Sequence, residues 1–329
     1  MPLRYEQFSP AGELHRWVEC YWRLTGEAGL APHPQRILPD GYVEIILHLG
    51  DPFLRVDEGT LAIRQAPMLF AGQMIRPVRV MATGRTCVWG IRLHPWAAAA
   101  VAGVPASELT DRIEDAEAVC PRLVKTLTRG LTDAIDEIRH AERTDHRVDV
   151  EAVGATAGAA AGASVGDGVG DGDVDGDSGV RCVRVLDRIL TRHLMRAAPI
   201  DPLVIAAGRL LLREPRPIAD VARRMGVSPR HLTRTFRHAV GLTPKMFARI
   251  SRFQRVAAVL DDESSGGVLA GVALACGYYD QSHLVRDVRA FAGGTPVALR
   301  AALDGELAEY FLRARRASHF SKIPPAALD

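Results

Sequence analysis

The chain has 329 residues, 47% hydrophobic and 24% charged, with 41 Lys and Arg against 39 Asp and Glu for a net charge of +2. That length allows two or three domains of ~100–200 residues, each with its own core, and no apolar run approaches the ~18–20 residues of a membrane span. The opening MPLRYEQFSPAGELHRW lacks the apolar stretch of a signal peptide, and the five cysteines are scattered with no CxxC pair. These features predict a cytoplasmic protein with thiols used as small core residues, no metal site and no cofactor.

In chain order, WVECYWRL, YVEIILHL, PMLFAG and CVWGIRL come first; they are rich in β-branched and aromatic residues and separated by turn residues such as Pro39-Asp40-Gly41. They predict a small antiparallel sheet or barrel. Alternation in YVEIILHL puts Val43, Ile45 and Leu47 on one face and Glu44, Ile46 and His48 on the other. Were the second face to line a cavity, Glu44 and His48 with Trp22 would be candidate effector contacts; the simpler expectation is ordinary exposed polar residues. Helical spacing follows from PWAAAAVAGVPASEL onward, with Leu123, Leu127, Leu131, Ile135 and Ile138 on one face, suited to core packing or to a dimer interface.

Residues 151–179 collapse into Ala, Gly, Val and Asp with no aromatic residue, which predicts a flexible acidic linker that lets a sensor-like domain take varied positions. DGDVDGDSGVRC within it imitates half of an EF-hand loop through Asp171, Asp173, Asp175 and Gly176, but Cys182 stands where the bidentate Glu belongs. Beyond the linker, VRCVRVLDRILTRHLMR and PLVIAAGRLLLRE each carry an apolar helical face.

Two later segments, residues 218–244 and 269–296, can be laid over one another. Val221, Ala222 and Gly226 match Val272, Ala273 and Gly277 at an offset of 51; after one inserted residue, His231, Leu232, Arg234, Arg237, Gly241, Thr243 and Pro244 match His283, Leu284, Arg286, Arg289, Gly293, Thr295 and Pro296 at an offset of 52. Each unit reads as helix, tight turn, helix. The glycine ends the first helix, Ser228 or Asp280 caps the second, and Leu232 and Phe236, or Leu284 and Val288, face inward. The outward residues at the start of a second helix are placed to meet base edges in a major groove: Arg230, Thr233 and Arg234 in one unit, Gln281, Ser282, His283 and Arg286 in the other. Packing or capping is an alternative role for the two histidines. Arg237, His238 and Arg289, later in the same helices, suit phosphate contacts. KMFARISRFQRVAAVL joins the units, its Arg249, Arg252 and Arg255 either touching the DNA backbone or forming a solvated face.

Charge is divided accordingly: residues 180–329 hold 24 Lys and Arg against 13 Asp and Glu, a net of +11, and residues 1–179 a net of −9. The segment from about Arg209 to Arg300 resembles the AraC/XylS family DNA-binding domain, its second unit GYYDQSHLVRDVRAFAGGTPVALR carrying the signature with Leu284 and Val288 where Phe is usual. The resemblance implies two helix-turn-helix subdomains on a long helix, entering successive major grooves ~34 Å apart. The N-terminal half is similar to sensor-like domains that precede such modules, through Tyr21-Trp22, RILPDGYVEIILHLG and GIRLHPWAAAAVAGVPASEL.

The expected fold class is therefore α+β: a sensor or dimerisation domain (1–150), a disordered linker (151–179) and an all-α DNA-binding domain (180–329, tandem units about 209–300). The expected function is sequence-specific transcription regulation, in the manner of an activator, under control of an effector or of dimerisation. Double-stranded DNA is the expected partner, with RNA polymerase, an unidentified small molecule and a second copy as further ones, and no membrane. Catalysis is not expected: alkyl-transfer repair needs a zinc-bound thiolate cluster that Cys20 and Cys87 do not form, and no H-E-x-x-H or His-x-His pattern occurs.

Overall fold

A computed structural model describes residues 3–27, 34–56, 61–154, 176–214, 216–261 and 269–303. Its strands are β1 (Arg4–Phe8), β2 (Val18–Glu27), β3 (Gln35–Ile37), β4 (Val43–His48), β5 (Leu54–Arg55), β6 (Ile63–Arg64), β7 (Met68–Ala71), β8 (Val78–Met81), β9 (Arg85–Leu93) and β10 (Ile113–Asp115). They form two antiparallel sheets, one in the order β1-β2-β9-β4-β7-β10 and one in the order β3-β8-β5-β6. The expected antiparallel β domain is thus observed. Alternation along β4 decides its two environments. Val43, Ile45 and Leu47 join Tyr21, Phe70 and Trp89 in a core shared with helices. The opposite face of the large sheet meets the small one, and Trp22, Leu24 and Val88 pack there with Phe53, Val80 and Ala82.

Helices α1 (Ala98–Ala102), α2 (Ala116–Val119), α3 (Pro121–Gly154) and α4 (Gly176–Leu194) follow. Leu123, Leu127, Leu131 and Ile138 of α3 are buried in the first core and Ile135 packs against it, so this stripe serves the core. The core boundary differs from the expected domain boundary at residue 180. Cys182, Val183, Leu186, Leu190 and Leu194 of α4 lie in the same core as α3 and the large sheet. Polar contacts pin α4 along its length: Arg23 donates to Ser178 Oγ (3.3 Å), Tyr21 donates its hydroxyl proton to Asp187 (2.8 Å), and the His193 ring donates to the Val101 carbonyl (3.2 Å). Periodicity showed that α4 has an apolar face but not which core it meets. The low-complexity segment therefore lies between two helices of one core. Its residues 151–154 belong to α3 and 176–179 to α4; residues 155–175, with Asp171, Asp173 and Asp175 of the EF-hand-like run, lie outside the described residues.

The remaining helices are α5 (Pro202–Arg213), α6 (Ile218–Arg224), α7 (Pro229–Val240), α8 (Pro244–Asp261), α9 (Leu269–Ala275), α10 (Gln281–Ala292) and α11 (Pro296–Leu303). They enclose a second core of Val204, Leu211, Val221, Leu232, Phe236, Phe247, Phe253 and Phe291, among others. The link between the two cores is the short stretch between Leu194 and Pro202. Among the described residues, no helix is long and apolar enough to cross a membrane.

Candidate nucleic-acid interface

Helices α6 and α7, and again α9 and α10, are paired by the same local chemistry. Gly226 and Gly277 adopt φ of +68° and +80°, which favours glycine and turns the chain after the first helix of each pair. The following amides then donate back, Val227 to Ala222 O (3.0 Å) and Tyr278 to Ala273 O (2.8 Å), closing the same helix-terminating motif twice. Ser228 Oγ accepts the His231 amide (3.2 Å) and Asp280 accepts the His283 amide (2.6 Å), so both expected caps start their helices. Thr243 and Thr295 accept the Met246 and Ala298 amides at 3.2 Å, starting α8 and α11 with Pro244 and Pro296 in the first turn. Leu232, Phe236, Leu284 and Val288 are buried, as expected. Tyr279, the residue inserted in the second turn, is 88% exposed.

Arg230, Arg234, Arg237 and His238 on α7 and Gln281, Ser282, Arg286 and Arg289 on α10 are exposed. Thr233 is half-buried and its hydroxyl donates to Pro229 O (2.8 Å). His283 is also half-buried and stands edge-on to Tyr278, with ring centroids 5.0 Å apart. On α7, Arg230, His231, Thr233, Arg234, Arg237 and His238 line one groove of about 870 Å³, whose described wall includes no acidic residue.

Residues 221–302 match the family model described as a helix-turn-helix domain, and residues 6–115 match one described as a domain of unknown function (DUF6597). The C-terminal domain is of the AraC type. The chain is accordingly a DNA-binding transcription regulator. Among solved structures it is similar to a probable AraC family transcriptional regulator from Rhodopseudomonas palustris CGA009, at 25% identity over 31% of this chain and 98% of that one, with a TM-score of 0.28. ToxT from Vibrio cholerae is similar at 8% identity over 93% of this chain and 100% of that one, with a TM-score of 0.40. The AraC-like transcriptional activator CuxR is similar at 11% identity over 75% and 84%, with a TM-score of 0.27. No curated protein matches the chain.

The arginines of the joining helix have internal partners. Arg249 donates to Asp287 (2.7 Å), Arg252 lies over the Tyr278 ring at 5.4 Å, and Arg255 donates to Leu212 O (2.7 Å). They bind α8 to α10, to the second turn and to α5, and so act as ties inside the AraC-type domain. Spacing along α8 alone did not reveal this, because each partner is at least 26 residues distant in sequence.

The first domain reaches both readers at their C-terminal ends. Thr110 donates its hydroxyl proton to Gly241 O (2.8 Å) after α7, and Arg36 donates to Ala292 O (3.2 Å) at the end of α10. Gln254 of α8 donates to Pro39 O. Trp96 of the first domain is 3% exposed and belongs to the second core, with the Arg209 guanidinium 5.8 Å from its ring centroid. Docking of this kind replaces the expected freely positioned sensor. Thr110, Arg36 and Trp96 carried no signal in the sequence, since nothing local marks a residue whose partner is in another domain.

Of the candidate effector contacts, Trp22 and Glu44 come together and His48 does not join them. Trp22 Nε1 donates to Glu44 (3.3 Å), as does Arg92 Nε (2.7 Å), while the other end of Arg92 meets Asp40 at 3.0 Å. Burial pushes the Glu44 carboxyl up against the pull of Arg92. A side chain at Gly90 would place its Cβ 1.8 Å from Trp22 Cε2, so the indole fills the space over β9. His48, 7% exposed, packs on Phe53 with centroids 5.2 Å apart, and burial lowers its pKa to about 4. This face is covered by the second sheet, contrary to the simpler expectation of exposure. Burial also raises Cys20 to about 12 and Cys120, Cys182 and Cys276 to about 11. No group of three or more metal-ligating side chains occurs among the described residues.

Proposed function

We propose that the chain regulates transcription by reading two successive major grooves, with α7 and α10 as unequal readers whose relative position is held by the first domain. The observation that carries this is the pair of capped helices with exposed polar faces, each tied at its C-terminal end to the β domain. Arg230 and Arg234 are assigned to guanine edges and the Thr233 methyl to thymine, while Gln281, Ser282 and Arg286 supply the second set. His283 is secondary because it already packs on Tyr278. Arg237, His238 and Arg289 are assigned to phosphates, setting register. A signal reaching the first domain, as a small molecule or a second copy, would act by altering the grip of Thr110 and Arg36.

Substituting Arg234→Ala or Arg286→Ala should cost about 1–3 kcal/mol on a selected site and relax sequence preference, while Arg237→Ala should weaken all duplexes alike and reduce the salt slope by about 1. Titration on selected and scrambled duplexes checks this. Equal losses on both for all three variants would remove the assignment of readers.

A further inference from the structure

Outside the AraC-type domain, α4 exposes a row of arginines. Arg181, Arg184, Arg188 and Arg192 recur at three- and four-residue spacing on its exposed face and span ~17 Å along the axis, and the exposed Arg196 follows in the turn after the helix. The one acid within that run, Asp187, is tied down by the Tyr21 hydroxyl (2.8 Å) and the Ala11 amide (3.2 Å). Among the described residues, Arg184, Arg188, Arg192 and Arg196 have no acidic partner. An arginine-covered helix face is ordinarily just solvated. Continuity sets this one apart: Arg192 and Arg196, with Arg122 of α3, line a cleft of about 910 Å³ whose far wall is Thr235, His238 and Ala239 of α7. The ridge therefore begins beside the end of the reader where His238 was assigned to phosphate, and continues away from it on the first domain.

We propose that this face of α4 binds the phosphate backbone of the duplex flanking the α7 site, so that the first domain itself holds DNA. The proposal rests on the reading of α7 as a DNA reader. A ridge of ~17 Å covers about half of a ~34 Å helical turn, enough for several phosphates of one flank. Contacts of this sort carry no sequence information; they lengthen the footprint, add affinity and steepen its salt dependence.

The test uses the full chain and a duplex selected by it from a random pool, once with ~20 bp flanks and once trimmed to the two reader sites. The variant carries Arg184→Gln, Arg188→Gln, Arg192→Gln and Arg196→Gln, exposed positions where Gln retains helix propensity; thermal melting verifies that the fold is kept. On the long duplex the salt slope should fall by about 2–4 units, at ~0.9 per lost phosphate contact, and the hydroxyl-radical footprint should shorten on one flank, with little change on the trimmed duplex. The double variant Arg188→Gln, Arg192→Gln should give about half the loss of slope. An unchanged slope and footprint overturn the proposal and leave the ridge to an acidic protein surface. Arg234→Ala, run in parallel, separates the failures: if it relaxes sequence preference while the ridge variant is silent, only the ridge falls; if it too retains preference, the reader assignment falls with it.

Discussion

His48 couples the β domain to pH. Its imidazole is buried beside Phe53, and burial, opposed by Gln65, holds its pKa at about 4 where an unfolded histidine titrates near ~6.5. As pH falls below ~6.5 the unfolded chain takes up a proton that the folded one refuses, so stability present above ~6.5 is lost progressively toward pH 4, by up to about 3 kcal/mol. Urea midpoints at pH 7.5 and 5 should show this drop, and His48→Leu should flatten it. Asp287, 2% exposed, is a second residue with a large expected effect. Asp287→Ala would strand the Arg249 guanidinium against the Phe291 ring, 5.1 Å from its centroid. The expected cost is about 2–4 kcal/mol by denaturant titration, below the range for a fully buried pair because Arg249 is 30% exposed. A loss under 0.5 kcal/mol would show that the pair is merely solvated. Neither residue announced its role in the sequence. His48 was legible as an alternating position on a strand, but whether that face met water or a second sheet depended on β5 and β8, two short strands paired through residues far away. Arg249 looked like a cation available to DNA because its partner stands 38 residues later.

At the level of elements, the tandem helix-turn-helix was legible down to single caps because its determinants are local. A turn glycine, a capping side chain three residues before the amide it satisfies, and apolar spacing of three and four fix each helix with little help from the rest of the molecule. The two glycines at the ends of α6 and α7 show where local logic stops. Both have positive φ, +68° at Gly226 and +89° at Gly241, so alanine costs about 1–2 kcal/mol of backbone strain at either. A Cβ at Gly226 meets nothing within 4 Å, whereas at Gly241 it comes within 2.8 Å of Ala106 O and Thr110 Oγ1. Gly241→Ala should therefore lose distinctly more stability than Gly226→Ala and should also loosen the first domain from α7. Hydrogen exchange at residues 106–110 would record that loosening, and equal losses with unchanged exchange would deny the contact.

At the scale of the whole molecule, α4 changes what the acidic low-complexity segment separates. The sequence offers an obvious break between a β-rich part and a helical part, and composition assigns everything after it to the second. Packing assigns α4 to the first, through Leu186, Leu190 and Leu194, because an amphipathic helix follows the larger apolar surface whatever its place in the chain. Trp96 works in the opposite direction, a first-domain residue buried in the second core. Trp96→Ala should cost about 3–5 kcal/mol and, by opening the seam between the cores, merge less cooperatively in thermal unfolding than the intact chain. A single unchanged transition would count against that coupling.

Residues 155–175 join two helices that are already neighbours, so continuity of the backbone there is not what keeps the halves together. A protease site placed in that stretch and cut should leave two fragments that migrate as one particle and still bind DNA. The gene could equally be expressed as two open reading frames, one ending after α3 and one beginning before α4. A functional regulator would then assemble only where both polypeptides are made, with α4 supplying the reader fragment's means of finding its other half.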